Sequence, residues 1–142
     1  MIITPFQIAQ TLVGNKELLG KADNPLILAM IQTCNAIDGE LHDEIPWCSA
    51  FINFIAKLTR LPRSHSLAAR SWLEIGIPLS TPQLTVDSDI IILKRGTGNQ
   101  GHVGFFAGFE GEYIIILGGN QSNSVNLQKF IDTDVIGMRR LV

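Results

Sequence analysis

Cys48 and His102 are the two side chains of this 142-residue chain best suited to nucleophilic chemistry. The reactive form of a cysteine is its thiolate, which forms near neutral pH beside a base, a cation or a helix N-terminus. A helix that opens near Pro46 places Cys48 in its first turn, where unpaired backbone N–H groups and the helix dipole favour negative charge. Positions 48, 51, 52 and 55 share one face of such a helix. The sulfur therefore points along the side of Phe51 and Ile55, the side that must pack on a sheet. His102 follows the loop Gly96-Thr97-Gly98-Asn99-Gln100-Gly101 and opens a strand. In that strand His102, Gly104 and Phe106 face one way and Val103, Phe105 and Ala107 the other. Gly104 leaves room beside the imidazole, where a helix could approach.

A third group follows from strand register. A hairpin turn centred on Glu110-Gly111 sets His102 opposite Gly119, with Asn120 next in line, and a slip of one residue would bring Asn120 directly opposite. An amide oxygen there can orient the ring and fix its tautomer, which completes a Cys-His-Asn site. The chemistry is acyl transfer. The imidazole takes the thiol proton or holds it in a preformed ion pair, the sulfur attacks a carbonyl, and the Cys48 backbone N–H is placed to stabilise the oxyanion. No cofactor is needed.

The elements that must position these groups change character midway along the chain. Thr4 to Val13 reads as a first helix, with Thr4 as N-cap and Pro5 at the first helical position; Asn24-Pro25 repeats the signal for a second helix ending near Cys34. A turn-rich stretch, Asn35 to Glu44, leads to the third helix, in which Trp47, Phe51, Phe54, Ile55 and Leu58 recur at helical spacing. Ser66 to Ile75 reads as a short fourth helix, stopped by Gly76 and Pro78. From Asp89 onward the period is that of strands: Asp89 to Leu93, Gly101 to Phe109, Tyr113 to Leu117, a stretch around Val125 and Leu127, and Val135 to Arg140. Helices first and antiparallel strands second predict an α+β fold with N-terminal helices packed on a sheet of about five strands.

Length and composition fit one domain, residues 1–142, with 46% hydrophobic and 17% charged residues. A net charge of −2 gives no electrostatic grip on nucleic acid or anionic lipid, and no apolar run is long enough to span a membrane. The first residues lack the basic n-region of a signal peptide, so synthesis in the cytoplasm is expected. Cys34 and Cys48 have neither a CxxC nor a paired zinc-ligand spacing, and both are expected to stay reduced. Cys34 reads as packing beside Ile27, Met30 and Ile31, His42 and His65 as surface residues. No candidate ligands show metal-site spacing. Trp72 fits either a substrate groove or the core. Gly118-Gly119 fits either a bulge or a backbone that lets substrate approach.

The segments Asp43-Glu44-Ile45-Pro46-Trp47-Cys48-Ser49-Ala50-Phe51, Gly101-His102-Val103-Gly104-Phe105 and Leu117-Gly118-Gly119-Asn120-Gln121 resemble the motifs of the CHAP and NlpC/P60 superfamily of peptidoglycan amidases and peptidases. Asn24-Pro25, Ala68-Ala69-Arg70-Ser71-Trp72-Leu73 and Asp89-Ile90-Ile91 resemble a phage-associated branch, and the likeness runs from about Glu17 to Arg139. The resemblance implies a papain-like fold, a cysteine nucleophile on a helix, a histidine on a strand, and cleavage of the peptide part of bacterial cell wall. Cys48, His102 and Asn120 are then the expected catalytic residues, and Trp47, Trp72, Gly101, Gly119 and Gln121 the expected substrate contacts. Peptidoglycan is the expected partner of a monomeric protein that acts at the wall after release. It would be either an endolysin freed by a holin or an effector countered by an immunity protein, with a catalytically idle wall-binding domain as the rival of another class. One departure stands out: many CHAP domains carry a Glu two residues before the Asn, and Gly118 stands there in this chain. That leaves Asn120 as the orienting group unless Asp43 or Glu44 takes part.

Overall fold

The computed structural model describes residues 2–19, 22–34 and 46–142. Three helices come first: α1 (Pro5–Thr11), α2 (Pro25–Gln32) and α3 (Cys48–Leu58). Thr4 caps α1 through a reciprocal capping box with Gln7, and Asn24 caps α2 by accepting from the Leu26 N–H. Pro at the first position of both needs no partner for the N–H it lacks. α3 differs, because Trp47 stands at its N-cap and makes no side-chain capping bond. The first N–H groups of α3 are thus left for another acceptor.

Six strands follow: β1 (Ile77–Pro78), β2 (Asp89–Lys94), β3 (Gly101–Glu110), β4 (Tyr113–Gln121), β5 (Ser124–Ile131) and β6 (Val135–Arg140). They form one antiparallel sheet in the order β1-β6-β2-β3-β4-β5. Alternation along the central strands builds two apolar layers. On the helix side Ile90, Ile92, Val103, Phe105 and Leu117 pack with Phe51, Ile52 and Ile55 of α3 and with Ile27 and Ile31 of α2. On the other side Ile91, Leu93, Phe106, Ile114 and Ile116 form a second cluster, covered by Leu84, Phe130, Val135 and Met138. Both faces of β2 are therefore buried, which explains its unbroken run of isoleucines.

The α+β class is as the period change predicts, with corrections in detail. The sheet has six strands rather than about five, since Ile77–Pro78 pairs with Arg139 and Arg140. The expected fourth helix is a 3-10 helix over Ala69–Glu74, and the first two helices stop short of Val13 and Cys34. The β3–β4 turn centres one residue later than expected, with Glu110 opposite Tyr113 and Gly111 at φ 59°. A bulge between Phe106 and Gly108 then shifts the register again. The room at Gly104 does not receive a helix: a Cβ there would lie 2.2 Å from Ile116 Cγ2, on the face away from α3. The turn-rich stretch, with His42, Asp43 and Glu44, lies outside the described residues. No helix among the described residues is long and apolar enough to cross a membrane.

Candidate active site

Cys48 is the first residue of α3 and is buried on the helix side of the sheet. Its thiolate is favoured by the backbone N–H of Val103, of Ser49 and of Cys48 itself. Ser49 and Cys48 supply the uncapped helix start. Val103, the residue after His102, is among these groups, which puts the sulfur near β3. Cys48 stands at a helix start as the sequence predicts, but its sulfur makes no hydrogen bond to His102 among the described residues.

His102 points to the opposite face, where its ring stacks on Phe130 with centroids 5.1 Å apart. Its Nε2 lies 2.9 Å from Gln121 Oε1. The amide orientation of Gln121 follows from its other end. Gln121 Nε2 donates to Ile116 O at 3.2 Å, Asn126 O at 2.8 Å and Asn126 Oδ1 at 2.9 Å, all of them acceptors. Oε1 must therefore face the ring and accept from Nε2–H. The proton of a neutral imidazole is thereby assigned to Nε2, which leaves Nδ1 with a lone pair. Nδ1 is buried and has no hydrogen-bond partner among the described residues. An unpaired buried acceptor costs about 1–3 kcal/mol, and here it is the atom a general base would use.

The amide beside the imidazole is Gln121, not Asn120. Between β4 and β5 the register passes from Gly118↔Asn126 to Gln121↔Ser124, so β4 carries an extra residue between Gly118 and Gln121. Regular pleating would put Gly118 and Asn120 on the same face. The bulge, with Asn120 at φ 56°, turns Asn120 away and re-aims Gln121 at His102. Gly118 is part of the device, since a Cβ there would lie 2.5 Å from Gln121 Oε1. The Gln121 amide fills the space beside position 118, so a side chain there would displace it. The Gly118-Gly119 pair was the sequence signal for a bulge, and counting one extra residue past it leads to Gln121.

The remaining expected contacts divide. Trp47 is fully buried and its Nε1 donates to Glu17 Oε1 at 2.9 Å; Trp72 is fully buried and donates to Ser49 Oγ at 2.8 Å. Both are core residues held by a hydrogen bond, so neither lines a groove. Gly119 faces the core, where a Cβ would lie 2.6 Å from Trp47 and 2.8 Å from Phe51. It lets α3 approach the sheet, not substrate. Gly101 does line a surface depression, with Pro46, Ala69 and Asn99. Asn120 lines another, of about 270 Å³, with His102, Ser122, Asn123 and Gln128.

Burial sets the charge state of the pair. Desolvation pushes the Cys48 thiol up, against the backbone N–H groups that lower it. Desolvation likewise pulls His102 down to about 4, against the raising effect of Gln121 and with a smaller lowering from Arg95. Both shifts favour neutral forms, so the resting pair at neutral pH is thiol and imidazole rather than an ion pair. A stability consequence follows. A histidine at 6.5 when unfolded and about 4 when folded binds more protons in the unfolded chain between those values. Its contribution is present above pH 6.5, declines as pH falls and is lost once pH passes below about 4. Urea unfolding should give about 2 kcal/mol less stability at pH 5 than at pH 7, a difference absent from His102→Gln. An equal pH dependence in the variant would show that other groups carry it.

No protein-family model matches the chain, and no curated protein matches it. Among solved structures, NlpC1 from Trichomonas vaginalis is similar over 96% of this chain and 42% of its own, with a TM-score of 0.59 and 19% identity. An NlpC/P60 family protein from Bacillus cereus ATCC 10987 is 19% identical over 66% of this chain and 30% of its own, with a TM-score of 0.49. The first of these likenesses shows that the chain shares the α+β fold of NlpC1. This chain spans less than half the length of either structure.

Proposed function

We propose that the chain is a cysteine hydrolase that cuts an amide bond in or next to the stem peptide of bacterial peptidoglycan. The observation that carries this reading is the imidazole of His102, locked by Gln121 into the tautomer that keeps Nδ1 free, one residue from the Val103 N–H that favours the Cys48 thiolate. The motif resemblance and the NlpC/P60-like fold supply the substrate class. Cys48 gives its proton to His102 Nδ1 as its sulfur bonds to the carbonyl carbon, and the oxyanion is met by N–H groups at the start of α3. The imidazolium returns the proton to the leaving amine, and water hydrolyses the thioester. Gln121 accepts from Nε2–H throughout and stabilises the imidazolium. Asn120, on the surface side of the bulge, contacts substrate rather than the imidazole. A phage or prophage endolysin is the setting we favour, on the likeness of the motifs to the phage-associated branch. An effector of a secretion system would use the same chemistry.

Mass spectrometry of digested peptidoglycan tests the reading. New amino and carboxyl termini are expected, with no new reducing sugar ends, because a lone thiol and imidazole lack the two flanking carboxylates of a glycosidase. Digestion should survive EDTA and stop with iodoacetamide. Reducing ends without new termini would overturn the proposal, as would loss on chelation restored by zinc or calcium.

A further inference from the structure

Three surface depressions surround His102 and the residues leading into Cys48, and Arg95 lines all of them. It borders Leu93, Gly96 and Phe130 in the first, Asn120, Gln121 and Asn123 in the second, and Pro46, Gln100 and Gly101 in the third. Among the described residues, the other charges in these linings are paired. Lys94 and Asp134, both in the first lining, form an ion pair at 4.0 Å. Among the described residues, the other two linings hold no acidic residue and no second lysine or arginine. The Arg95 guanidinium has no hydrogen bond or ion pair with any described residue, whereas its backbone N–H donates to Gln100 O at 3.2 Å and anchors the loop. The loop is held from the other side by Arg70, whose guanidinium bonds Gly98 O and Gln100 O at 3.2 and 3.3 Å. One arginine is thus used to fix the loop while the other is left free at the point where the depressions meet.

We propose that Arg95 binds a carboxylate of the substrate, so that this chain prefers peptides with a free carboxylate beside the scissile amide over the same peptides amidated there. The inference rests on the cysteine-hydrolase reading for its setting and adds to it the charge of the substrate. A planar guanidinium on a fixed strand end takes a carboxylate in two parallel hydrogen bonds, a geometry that a carboxamide cannot match. The second lining also holds Asn120, Gln121, Ser122, Asn123 and Gln128, beside His102 and Phe130, and such side chains can meet the neutral amide groups of a peptide.

The probes are L-Ala-γ-D-Glu-L-Lys and its counterpart with the D-Glu α-carboxylate converted to carboxamide. Binding is measured by calorimetry to Cys48→Ala, with and without Arg95→Gln or Arg95→Lys, and cleavage with the unsubstituted thiol. A charge-assisted pair predicts at least about tenfold tighter binding of the carboxylate peptide, with the same ratio in KM. Arg95→Gln should bring the ratio close to one, and Arg95→Lys should keep part of it. Equal binding of the two peptides, a preference that survives Arg95→Gln, or no binding of either would overturn the proposal. Failure of the hydrolase reading would look different: an Arg95-dependent binding preference with neither peptide cleaved.

Discussion

Cys48→Ala should lower digestion of purified peptidoglycan by a factor on the order of 10³ to 10⁶, and His102→Ala should do the same. The two losses should not multiply in the double variant, because thiol and imidazole act as one unit. Cys48 has 4% of its surface exposed, and loss of one sulfur from that position changes packing little, so Cys48→Ala should melt close to the parent protein. Cys34 is the internal control. It is buried, and burial raises its thiol as well, but its Sγ lies 3.5 Å from Asn53 Nδ2, away from the imidazole. Cys34→Ser should therefore digest at the parental rate and remain sensitive to iodoacetamide. Digestion by Cys48→Ala at more than a trace of the parental rate would remove the thiol from the mechanism.

Gln121→Leu should cost about a hundredfold in kcat/KM, while Asn120→Ala should cost only a few-fold and mainly in KM. Leu fills much of the same volume but accepts nothing from His102 Nε2–H and leaves Ile116 O and the Asn126 acceptors without their donor. The imidazole is then free to carry its proton on Nδ1, the wrong atom for a base. The variant should also lose roughly 1–3 kcal/mol of stability from buried unpaired groups. Nitrogen NMR of the His102 ring separates the two effects. The parent should show the Nε2–H tautomer, and Gln121→Leu a mixture. Equal rates for Gln121→Leu and the parent, or a larger loss from Asn120→Ala, would return the orienting role to Asn120.

Much of this arrangement was legible in the sequence because it depends on period and on helix-start chemistry. Pro46, Trp47 and Cys48 announce a helix beginning, and the alternation from His102 to Ala107 correctly separates the two faces of β3. What escaped was everything set by bulges. Two glycines in a strand state that the period will break but not by how much, and a single extra residue exchanges one amide for its neighbour. The tryptophans escaped for another reason. A large ring with one N–H suits a groove and a core equally well, and only the location of Glu17 and Ser49 decides the matter. The side of approach at Gly104 was open too, since a strand pattern does not say which face the helices will cover.

The thiol packs with the helix-side layer at the start of α3, and the imidazole near the start of β3 stacks on Phe130. Cavities that reach the imidazole are lined by residues of β2 to β5, the loop after β2, the β4–β5 turn and Asp134, with none from α1 or α2 among the described residues. On the proposed reading, the groups that would meet a ligand around His102 lie on the side of the sheet away from α1 and α2, where Leu93 and Phe130 also serve the second cluster. Sequence drift in α1 and α2 is, on the same reading, filtered by packing, and drift in the turns beside His102 by what the protein must recognise. Recognition can then change without rebuilding the interior that α1 and α2 contribute.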